Sequence, residues 1–84
     1  MKKTDILILS KLLAKEYFRL YLEDYNKSLT ILDDDIIVMG LKEFDDKYII
    51  LLSLPKLLDH YCEITFDKDN KKFLKTNMFQ KINL

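Results

Sequence analysis

Two residues with nucleophilic or metal-ligating chemistry stand close together in this 84-residue chain: His60 and Cys62, two positions apart. On an extended strand that spacing points both side chains the same way, the arrangement needed for a thiolate–imidazole pair or for half of a zinc site. Neither can be completed, because the chain holds one His and one Cys. Cys62 also belongs to an apolar alternation with Ile64 and Phe66, and free cysteines are commonly buried, so an inert core thiol is the expectation. His60 reads as a residue at the edge of a loop.

Carboxylates are the next candidates. Between Glu23 and Asp46 lie eight acids and two bases, enough to suggest a divalent cation or mimicry of nucleic-acid phosphate. A meander would put the Asp33–Asp35 turn and the Glu43–Asp46 turn at opposite ends of a sheet. Neither run has the calcium-loop spacing, nor does Asp67-Lys68-Asp69-Asn70, which lacks the later glycine and bidentate Glu. Solvated turns, for which Asp is well suited, outweigh a metal site. A phosphate loop is excluded by the presence of a single glycine, and no catalytic, metal-binding or cofactor signature emerges.

The basic residues support a nucleic-acid reading as the alternative function. Lys11, Lys15 and Arg19 form an i, i+4, i+8 row, and residues 71–84 carry four lysines and no acid. Against it, Glu16 and Glu23 stand within helical pairing distance of Arg19, lysines on an edge strand discourage aggregation, and the formal net charge is zero. Nucleic acid is therefore the weaker expectation.

These residues must be positioned by few elements. Eighty-four residues make one domain, spanning 1–84, and the single Cys62 leaves folding to burial rather than disulfides, which fits a reducing, cytoplasmic setting. Charged Lys11, Lys15 and Glu16 interrupt the first apolar run, so no segment approaches the roughly 18 apolar residues of a membrane span. Asp5 to Tyr25 reads as one long helix with Thr4 as N-cap and Asn26 as its closing residue. At about 100° per residue, Ile6, Leu9, Leu13, Ala14, Tyr17, Leu20 and Tyr21 share an arc that predicts the core face, with Leu7, Phe18 and Tyr25 at its edge.

Ser28–Leu32 and Ile36–Leu41 read as a hairpin around Asp33-Asp34-Asp35, and the lone Gly40 suggests a bulge or a close backbone approach. Lys47–Leu54 is apolar on both faces, the pattern of a central strand covered on both sides. Pro55–Tyr61 is expected to form a short helix, Cys62–Phe66 a half-exposed strand and Lys71–Thr76 a weak one, with the tail from Asn77 compatible with a helical turn or an extended segment. The predicted fold is α+β, a long N-terminal helix on an antiparallel sheet of four to five strands, in the order α-β-β-β-(short α)-β-β.

The predicted core joins Leu13, Tyr17 and Leu20 to Ile50, Leu52, Ile64 and Phe66. Ile8, Leu12 and Leu22 fall outside the core arc, and one helix covers only one side of the central strand. Uncovered apolar surface of this kind points to a non-enzymatic protein-interaction module of inhibitor, adaptor or chaperone type. A homodimer is the expected form, with Ile8, Leu12 and Leu22 contacting the partner protein and Lys15 and Arg19 at the rim.

Overall fold

A computed structural model describes residues 2–24, 30–56 and 60–80 of the chain. One helix, α1 (Lys3–Asp24), lies on a four-stranded sheet built from β1 (Ile37–Glu43), β2 (Lys47–Ser53), β3 (His60–Asp67) and β4 (Lys72–Gln80). Every strand pairs antiparallel with its sequence neighbour, giving the meander order β1-β2-β3-β4. The fold is the expected α+β class.

Why the sheet takes this register is plain from its alternation. Leu52 lies between Val38 and Cys62, Ile50 between Leu41 and Ile64, and Tyr48 between Glu43 and Phe66. These cross-strand rows turn one face toward α1, where Ile50, Leu52, Cys62, Ile64 and Phe66 are buried. At the β3–β4 turn, the Asp67 carboxylate accepts the backbone N–H groups of Asp69 and Asn70 and the Asn70 side-chain amide. Lys71 then closes that turn at φ 55°, the left-handed region.

The helix contributes a different face from the predicted one. Ile6, Ser10, Ala14, Phe18 and Leu22 are buried, whereas Tyr17 and Leu20 are 40% and 44% exposed and Leu9 is exposed as well. Leu13 is half-buried against the core. The buried set is an i, i+4 row, which runs at about 26° to the helix axis, so the line of contact crosses the helix surface obliquely. A projection that assumes a stripe parallel to the axis averages over this drift and selects the wrong side. The buried Ser10 hydroxyl is satisfied by donating to the Ile6 carbonyl at 2.7 Å.

Four other expectations change. Thr4 lies within α1 rather than capping it, since the helix begins at Lys3; Asn26 lies outside the described residues. The first predicted hairpin is replaced: residues 30–32 form no strand, and Asp33–Asp35 is a 3-10 turn in which the Asp35 carboxylate accepts the Leu32 N–H at 2.7 Å. Consecutive aspartates bond local backbone more readily than they join a ladder, and the flanking Ile31 and Ile36 bury their side chains in the core instead. The sheet therefore has four strands among the described residues. Of the expected short helix at residues 55–61, Pro55 and Lys56 form a turn, residues 57–59 lie outside the described set, and His60 and Tyr61 open β3. The segment from Asn77 to Gln80 continues β4. The bulge suspected at Gly40 lies one residue earlier, because the register skips Met39.

An ion cluster joins the start of α1 to the far ends of the strands. Glu43 accepts from Lys3 at 3.1 Å and from Lys68 at 2.9 Å, and both ammonium groups also stand over the Tyr48 ring. Hydrogen bonds from Lys68 and then Lys3 hold the Glu43 carboxyl down to about 2.

Two predictions follow from this packing. Phe18→Ala should cost about 3–5 kcal/mol, as buried aromatic truncations do, while Leu20→Ala should stay within about 0.5 kcal/mol; urea midpoints read both. For Glu43 the depressed pKa means that its stabilising contribution is complete above its ordinary value of 4.5 and is lost as pH falls toward about 2. Glu43→Gln should therefore flatten the acid limb between pH 4.5 and 2 of a stability–pH curve, and, because the Glu43 hydrogen bond also raises the Lys68 ammonium above its ordinary 10.5, flatten the alkaline limb beyond that value while leaving the slope near neutral pH unchanged.

Candidate functional site

His60 and Cys62 do face the same side of β3, and that side is the core. Cys62 is buried, and desolvation pushes its thiol up to about 12, far from the thiolate a nucleophile needs. His60 is half-buried, with Nε2 3.3 Å from the Tyr21 hydroxyl and the two rings edge to face at 5.3 Å. The pair thus joins the end of α1 to the start of β3. A thiol reagent should label Cys62 slowly in native buffer and rapidly in denaturant; fast native labelling would show an accessible thiol instead.

Several of the acidic residues are likewise engaged in structure. Asp33 pairs with Lys15 and Asp35 with Lys56, each at 2.9 Å, and Glu43 with Lys3 and Lys68. Among the described residues no three His, Cys, Asp or Glu side chains converge to hold a metal ion. Of the basic helix row, Lys15 is bound to Asp33, and Arg19 bonds Glu16 and Glu23. Those pairs reduce the charge the row can offer to phosphate.

Two apolar surfaces remain uncovered by any described element. The first is the outer ridge of α1, where Ile8 and Leu12 are 54% and 48% exposed, Leu9 is exposed beside them, and Arg19 and half-buried Lys15 flank the ridge. Leu22, expected on this ridge, is instead only 3% exposed, because the oblique core row reaches it at the end of the helix. It belongs to the core with Phe18 and Ile36.

The second surface is the sheet face turned away from α1. Ile37, Ile49, Leu51, Tyr61 and Phe79 lie on it by strand alternation. The Tyr61 and Phe79 rings stack across the β3–β4 pair at 5.5 Å. Beside them a shallow depression of about 420 Å³ is lined by Gly40, Lys42, Phe44, Ile49, Leu51 and Glu63. The alternation of Ile49 and Leu51 with Ile50 and Leu52 signals this face in the sequence. Phe79 carries no such signal, since its strand is weakly patterned.

The site and fold together define a two-layer α+β domain whose prominent features are uncovered apolar faces, with no described helix long and apolar enough to cross a membrane. Comparison with protein families, with curated proteins and with solved structures finds no match for the chain.

Proposed function

We propose that this protein is a non-enzymatic interaction module that works by binding protein, of inhibitor, adaptor or chaperone type, and that it self-associates, a homodimer being the simplest form. The observation that carries this reading is the exposed Ile8–Leu9–Leu12 ridge on a helix whose opposite side is already buried. Apolar patches of this kind on small domains mark interaction surfaces, and a second copy is the commonest partner for a protein isolated alone. Lys15 and Arg19 flank the ridge, and the buried Leu22 contributes by holding the helix in place. A reducing, cytoplasmic setting suits the single buried thiol.

Sedimentation or light scattering across a dilution series tests the reading. Mass should rise with concentration, and Leu12→Asp, at a position already open to solvent, should weaken association by about tenfold or more, equivalent to roughly 1.4 kcal/mol of interface. A wild-type protein that stays monomeric into the high micromolar range would exclude self-association.

A further inference from the structure

We draw no further inference here: the strongest candidate, the open sheet face around the shallow depression lined by Gly40, Phe44, Ile49 and Leu51, is an apolar patch among intermixed lysines and carboxylates, and nothing in the structure shows what covers it.

Discussion

The contact on which the rest of the structure depends is the row Ile6, Ser10, Ala14, Phe18 and Leu22 pressed against the apolar face of β2 and β3. Its centre is made of small residues, Ser10 and Ala14, both fully buried, so the helix backbone comes close to the sheet there. Larger side chains at either end, Ile6 on one side and Phe18 and Leu22 on the other, belong to the same buried cluster as Phe66, Ile36 and Leu54. Each step of four residues advances the row by about 40° around the helix, and from Ile6 to Leu22 the buried direction turns by roughly 160°. That rotation decides which residues face outward at each level: Ile8 and Leu12 in the first half, Tyr17 and Leu20 in the second. The exposed ridge is a geometric consequence of how the core is packed.

Polar contacts at the ends of α1 keep this oblique docking in register. Lys3 ties the first turn to Glu43, which Lys68 ties in turn to the β3–β4 turn, and the Lys68 backbone N–H donates to the Asp46 carbonyl at 2.9 Å. Toward the other end, Lys15 reaches Asp33, Lys56 reaches Asp35, and Tyr21 meets His60. Exposed ion pairs of this sort contribute little stability individually. Their effect is positional, since they act at both ends of a helix that touches the sheet along one narrow row. Three of the residues that looked capable of chemistry in the sequence, His60, Asp33 and Glu43, are among the ones that set this docking.

Period-two alternation made most of the sheet legible. Cys62, Ile64 and Phe66 alternate cleanly, the Asp67–Asn70 turn is unambiguous in composition, and the double-sided apolar pattern of β2 identified the centre of the sheet. The helix face was less legible because a residue set drawn as a stripe parallel to the axis cannot describe a row that drifts; Leu22 was placed outside and Tyr17 inside for that single reason. The Asp33–Asp35 segment misled through its charge, which suggested a hairpin turn between two strands. In the structure the same side chains bond backbone and lysine locally, and the isoleucines beside them pack into the core without pairing. The outer ridge was half legible, with Ile8 and Leu12 correctly outside the core, and the sheet face was foreshadowed by Ile49 and Leu51.

How the surfaces can be used is constrained by the edges of the sheet. An open antiparallel sheet offers two unpaired strands to other chains, and proteins that avoid edge pairing blunt them with bulges and lysines. Both devices are present. β1 bulges at Met39, which has no register partner, and β4 loses its partner at Leu74 and carries exposed Lys72 and Lys75. A further strand would have to follow those irregularities while desolvating the charges. The two broad faces carry no irregular ladder: the helix ridge presents Ile8, Leu9 and Leu12, and the open side of the sheet presents Ile49 and Leu51 of β2 next to Glu63 and Thr65 of β3. Association through faces leaves every ladder hydrogen bond intact and buries side chains already directed outward. For a domain of this size, whose core is supplied by one helix and two central strands, that is the route that adds apolar burial without reopening the fold.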